Sequence, residues 1–242
     1  MPSTLTDSLI DAYIKTFVGF GNPDGRYWFV GMEQGGGTTI PEIEARITVW
    51  GDRGHRAFEN LAEYCDAFDN HAWFGAGAKS QPTWRQLIRI YLAAEGLPHS
   101  RQDALDFQKA KLGLFDGGVC LAELSSLPIR RTADWPYAAF DGLPYLASRE
   151  KYQRTVAPAR VSLLRGLIER HEPGVVVCYG SSYQRWNGLA GCAFESTPIR
   201  SVYLAQTGTS VVLVIPHPVA HGLSNEYFAE IGRFIRARGK CD

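Results

Sequence analysis

The stretch Arg26-Tyr27-Trp28-Phe29-Val30-Gly31-Met32-Glu33-Gln34-Gly35-Gly36-Gly37-Thr38-Thr39-Ile40-Pro41-Glu42 carries the reading of the fold. Tyr27-Trp28-Phe29-Val30 is a short aromatic and β-branched run, preceded by the turn residues Asn22-Pro23-Asp24-Gly25, and it predicts a buried strand. Four glycines then fall in seven positions, at 31, 35, 36 and 37. Pro41, Glu42 and Glu44 mark the first turn of a helix whose apolar stripe is Ile43, Ile47 and Trp50. A strand, a glycine-rich turn and a helix in succession open a parallel α/β unit.

Outward from this unit the same alternation continues. Apolar spacing predicts helices over residues 5–18, 55–68, 82–95 and 101–110, another marked by Val161, Leu164, Leu167 and Ile168, and a last one over 224–238. Further strands are expected over 119–124, 201–204 and 211–215. Val175-Val176-Val177-Cys178-Tyr179, running into Gly180-Ser181-Ser182, reads as a central parallel strand feeding a helix. The segment 125–148 has no clear period and holds Pro128, Pro136, Pro144, Trp135, Tyr137, Phe140 and Tyr145, the content of a functional loop. The expected architecture is a three-layer α/β/α sandwich around a mostly parallel sheet of four or five strands, in one domain over residues 1–242.

Lys plus Arg equals Asp plus Glu at 25 each, so any polyanion site must be a local patch rather than a global field. Cys65, Cys120, Cys178, Cys192 and Cys241 are odd in number and scattered, which points to a reducing compartment. They form no C-x-x-C pair, so neither a metal nor an iron–sulfur cluster is expected. The opening residues lack the layout of a signal peptide, and no apolar run reaches the roughly 20 residues of a membrane helix; a cytoplasmic protein without membrane partner or cofactor is the expectation.

Three constellations could carry chemistry. In the glycine loop the backbone can turn sharply and admit a close ligand, with a helix start behind it. Gly31 and Gly36 have the separation of a phosphate loop, but Gly37 stands where the lysine would be, which argues against a nucleoside triphosphatase. Glu33 is the loop's titratable side chain: a general base for water, or else a helix cap or partner of a surface arginine. The second constellation is Ile215-Pro216-His217-Pro218-Val219-Ala220-His221, where prolines stiffen the chain beside His217. An imidazole so held can donate to a developing anion, or it is an ordinary loop histidine. The third is Glu123, at the end of a strand before Leu124-Ser125-Ser126-Leu127-Pro128; it demands a donor, from a ligand or from a structural partner such as Arg130.

In their order along the chain, the strand ending in Gly31-Met32-Glu33-Gln34-Gly35, the strand ending in Glu123, the run from Val175 into Gly180-Ser181-Ser182, and the strand ending in His217-Pro218 resemble the uracil-DNA glycosylase superfamily, from about Tyr27 to Arg238. The resemblance implies that Glu33 positions the hydrolytic water and that His217 hydrogen-bonds the departing base. It further implies that Trp73 or Phe74 stacks on that base, and that Gly31, Met32, Gln34, Gly35, Glu123, Ser125 and His221 surround it. The chain departs from the family at Gln34 (a proline there), at Val219 (a serine there) and at Glu123, where the family has an asparagine that reads the base. A carboxylate that only accepts would suit an edge of N–H donors better than uracil.

The function expected is that of an N-glycosylase-like hydrolase excising a flipped-out modified or deaminated base from DNA. Arg130, Arg131, Arg154 and Arg160 are the candidate phosphate contacts, with Trp135 and Tyr137 as wedges or stacking faces. The alternatives are a non-catalytic nucleotide or nucleic-acid binder of the same fold, or an N-glycosidase acting on a small nucleoside.

Overall fold

The computed structural model describes residues 5–37, 39–131, 134–180 and 183–238; Thr38, Ser181, Ser182 and Cys241 of the sequence reading lie outside them. The chain opens with α1 (Asp7–Thr16), capped by the Thr6 hydroxyl, and a three-residue strand β1 (Gly19–Gly21). The decisive stretch forms β2 (Tyr27–Glu33) and then α2 (Ile40–Asp52), which starts where Thr39 accepts from the Glu42 amide and Pro41 pre-sets the first turn. Next come β3 (Phe58–Glu59), α3 (Leu61–Ala67), α4 (Pro82–Glu95), α5 (Arg101–Ala110) and β4 (Val119–Ser125). The remainder is α6 (Arg149–His171), β5 (Val175–Tyr179), α7 (Tyr183–Ala190), β6 (Glu195–Ser196), β7 (Tyr203–Thr207), β8 (Ser210–Ile215) and α8 (Asn225–Arg238).

One mixed sheet holds eight strands in the order β3-β1-β4-β2-β5-β8-β7-β6. Its centre, β4-β2-β5-β8, is parallel. The flanking pairings of β1 with β4, β7 with β8, and β6 with β7 are antiparallel, which extends the sheet beyond the expected four or five strands. Both faces of the parallel strands are buried, and side-chain parity divides them. Tyr27, Phe29, Leu121, Val177 and Leu213 meet α1, α2, α4 and α8 on one face. Trp28, Val30, Cys120, Val176 and Val212 meet Leu164 and Ile168 of α6 and Trp186 of α7 on the other.

Helix α6 begins well before the expected Val161 and carries Pro158 inside it. Its amphipathic stripe is hidden in the sequence because Arg160, 2% exposed, is an inward-facing residue. The guanidinium donates to the carbonyls of Leu124 (3.0 Å), Ile14 (3.3 Å) and Glu123 (2.9 Å), tying β4 to α1. Arg160 is therefore a structural cation, not a phosphate contact. The aromatic residues of the 125–148 segment are likewise structural: Tyr137 is buried with its hydroxyl on the Pro128 carbonyl, and Trp135 packs between Tyr137 and Tyr152 with its indole N–H on the Leu146 carbonyl. Neither is free to act as a wedge.

Among the described residues no helix is long and apolar enough to cross a membrane, and no group of three or more His, Cys, Asp or Glu side chains could hold a metal ion.

Candidate active site

The strand order locates the site. From β2 the chain crosses to β4 on one side, and from β4 it crosses back to β5 on the other, so the direction of winding reverses at β2. In parallel sheets the crevice outside the carboxyl ends of the strands at such a reversal is where ligands bind. Glu33, Ser125, Tyr179 and Ile215 end the four strands on this edge. A cavity of about 360 Å³ opens there, within the range of small-molecule sites. Glu33, Gln34 and Gly35 of the glycine loop, Glu123 of β4, Tyr179 of β5 and His217 all line it, as do Tyr64, Phe68, Trp73 and Trp84.

Its floor follows from register. Gly31 pairs with Glu123 on β4, and Val30 with Cys178 on β5, which puts Glu123, Gly31 and Tyr179 in one row across the sheet with their side chains on the same face. A Cβ at Gly31 would overlap both Oε2 of Glu123 and the Tyr179 hydroxyl. Through this gap the Tyr179 hydroxyl donates to Oε1 of Glu123 at 3.5 Å. Oε2 is sealed from solvent and has no partner. Burial pushes the Glu123 carboxyl well above the ordinary carboxylate range; Tyr179 and Arg160 oppose that rise and Glu33 adds to it. A shift in this direction favours the protonated carboxyl, which donates as well as accepts, over the acceptor-only carboxylate that prefers an N–H-rich edge. Its partner is Tyr179, while Arg130 is exposed.

Glu33 has the opposite environment. The Arg149 guanidinium, at the start of α6, donates to its Oε1 from Nε at 3.1 Å and also from Nη2. The carboxylate is thus ion-paired with an arginine that sequence reading had left anonymous. Glu33 also borders a second hollow of about 20 Å³, with Ser125, Tyr152, Arg160 and Arg185 around it, and is the residue common to both linings. That volume accommodates a single water.

His217 stands at the rim with its ring edge-on to Tyr179, 5.8 Å between centroids. Its Nδ1 accepts from the Val219 amide at 3.3 Å, which places the ring proton on Nε2. Desolvation lowers its pKa below the ordinary histidine value. At neutral pH the ring is a neutral Nε2–H donor.

The glycine loop is held from below. Arg46 donates to Oε1 of Glu42 from Nη2 (2.9 Å) and Nε (3.2 Å) and to the Gly35 carbonyl at 3.4 Å, and it lies 4.8 Å over the Phe68 ring. The Gly37 amide also donates to Glu42 Oε1. Gly36 and Gly37 have φ of +107° and +70°, and a Cβ at either would strike Arg46 or the Pro128 carbonyl. Here glycine is required both for conformation and for close approach. Gln34, 4% exposed, accepts from the Tyr13 hydroxyl at Oε1 and leaves its buried Nε2 without a partner.

No protein-family model matches the chain, and no curated protein matches its sequence. The site therefore stands on its own geometry. Glu33, Gln34, Gly35, Trp73, Glu123 and His217 come together around one cavity, with Gly31 beneath. Met32 packs into the apolar cluster of the opposite face and borders the small hollow. Ser125 also faces that hollow, 3.1 Å from the Tyr152 hydroxyl. Phe74 packs on Trp84 outside the lining, leaving Trp73 as the aromatic of that loop in the wall; His221 is exposed and outside it as well. Sequence reading missed Arg46, Tyr64, Phe68, Trp84, Arg149 and Tyr179. A signal existed for Arg46, a charge on the inward stripe between Ile43 and Trp50, and for Tyr179, a hydroxyl ending an apolar run before glycine.

Proposed function

We propose that the chain hydrolyses the N-glycosidic bond of a base turned out of a DNA strand. The observation that carries this reading is the shared wall: Glu33 and His217, brought from turns far apart in sequence, line one cavity with aromatic sides, and Glu33 alone also borders a water-sized hollow. The base occupies the cavity against Trp73, Trp84 and Phe68. Glu33 draws the proton from a water attacking the sugar carbon, and the Nε2–H of His217 donates to an acceptor on the base as charge grows there. The order of these turns is the one that makes the sequence resemble the uracil-DNA glycosylase superfamily. Arg130, Arg131 and Arg154 are exposed cations for phosphates, Arg154 lying 3.7 Å from Glu150, and Val219, two residues from His217 and 53% exposed, offers an apolar tip to an opened base step.

A second reading draws on the Arg149–Glu33 ion pair. A carboxylate whose Oε1 is occupied by a guanidinium has less of its surface to offer a water, as in a protein that binds a nucleotide without cleaving it. Abasic-site formation on oligonucleotides carrying single modified or deaminated bases, with free nucleosides in parallel and Glu33→Ala as control, decides between them. Base release from DNA that disappears in the variant supports the first reading; binding without release in the wild type supports the second. Release from nucleosides alone would replace DNA with a small substrate.

A further inference from the structure

Two carboxyl groups reach the same cavity in opposite circumstances. Glu33 is paired with a guanidinium; Glu123 has a tyrosine hydroxyl on one oxygen, nothing on the other, and no cation on its carboxyl. They project from neighbouring parallel strands two register positions apart, Gly31 opposite Glu123 and Glu33 opposite Ser125. Where two titratable groups are held in contrasting environments within one site, one is suited to give a proton and the other to take one. Because Tyr179 donates to Oε1, the acidic hydrogen of a protonated Glu123 belongs on Oε2, which lies closed in the notch over Gly31, so the carboxyl must turn toward the cavity to meet a ligand's acceptor.

Resting on the hydrolase reading above, we propose that Glu123 is the general acid of this site, handing its Oε2 proton to a ring nitrogen or carbonyl oxygen of the departing base while Glu33 takes a proton from water. The water oxygen bonds to the sugar carbon, the carbon–nitrogen bond breaks, and its electron pair leaves with a base that departs neutral. Glu123 ends ionised and Glu33 protonated; with the base gone and the Glu123 carboxyl still turned toward the open cavity, exchange with solvent restores both. Such a site takes bases that carry an acceptor on the edge they bury and whose departure as anions is slow, such as purine rings, and does not depend on an acidic leaving group. Around Glu123 the charged and titratable groups are Glu33, Arg160 and Tyr179, with Arg46, Glu42, Tyr64, Cys65 and His217 elsewhere on the cavity wall. Burial favours the protonated form of Glu123.

The test is a leaving-group series measured on the full chain: single-turnover release of 5-fluorouracil, uracil, hypoxanthine and adenine from otherwise identical oligonucleotides, for wild type and Glu123→Gln. The expected result is a loss of about 10²- to 10⁴-fold for adenine and hypoxanthine in the variant, a loss under about tenfold for 5-fluorouracil, which leaves readily as an anion, and disappearance of the wild-type decline in rate at alkaline pH. An equal loss across the series would overturn the acid role and leave the hydrolase reading standing. No release of any base by the wild type would overturn both. Because the fluorouracil arm uses the same variant, retained activity there also shows that Glu123→Gln is folded.

Discussion

The hydroxyl of Tyr179 reaches Oε1 of Glu123 across the width of a strand, at 3.5 Å, because the residue between them, Gly31, has no side chain. Gly31 is needed here for space, whereas Gly36 and Gly37 are also needed for their positive φ. Gly31→Ala forces a methyl group into a buried notch already filled by Oε2 and the phenol. We expect a loss of about 1 to 3 kcal/mol in urea unfolding, with ligand binding in the cavity weakened further. Stability within a few tenths of a kcal/mol of wild type would show that the two side chains can part without consequence.

The buried acid makes stability depend on pH in a definite sense. The folded pKa of Glu123 is raised above its unfolded value, so the native state holds the proton longer. Its contribution is fully present below the ordinary glutamate pKa and is lost as pH rises toward the folded value. Glu123→Gln keeps the shape and cannot ionise. The difference in melting temperature between pH 5 and pH 8 should therefore shrink in the variant, with Glu123→Gln the more stable protein at pH 8. An unchanged slope would mean that other groups set it.

How far the sequence reveals this arrangement depends on the length scale of each signal. The unit from Tyr27 to Trp50 was legible because strand, glycines and helix cap are contiguous, and the strands around Val177 and Leu213 because buried parallel strands are unbroken apolar runs. The strands β1 and β3 were not: Gly19-Phe20-Gly21 and Phe58-Glu59 are too short to show any period, and the sequence pattern assigned Phe58 to a helix that starts at Leu61. Glu33 and His217 were visible as polar residues ending apolar strands. Arg149 was not, since its meaning lies wholly in a partner 116 residues away. Trp135 and Tyr137 misled because composition cannot separate an aromatic that seals a loop from one that faces a ligand.

His217 should be a neutral Nε2–H tautomer with a pKa below the ordinary 6.5, the direction set by desolvation. Two-dimensional proton–nitrogen spectra of the imidazole rings report both properties. A depressed histidine pKa contributes stability above the unfolded value that is lost as pH falls through the folded one, so His217→Gln should soften acid destabilisation in that window. Spectra showing Nδ1 protonated at pH 7.5 would remove the donor that the mechanism assigns to Nε2.

The roles of Glu33 and Arg149 can be separated by asking what each substitution leaves behind. Glu33→Gln removes the proposed base while preserving volume, and Arg149, 27% exposed at its side chain, can turn to solvent. The ion pair is therefore worth only about 1 kcal/mol to the fold, while base release should fall about 10²- to 10⁴-fold. Arg149→Met removes the orienting partner and leaves the carboxylate. Its effect on folding should be similarly small, and its effect on release smaller than that of Glu33→Gln, because an unheld Glu33 can still take a proton. If Arg149→Met instead matches Glu33→Gln in activity, the pair acts as one unit and the arginine belongs to the reacting assembly. If both leave release untouched, the water is activated elsewhere and the hollow beside Glu33 has no part in the chemistry.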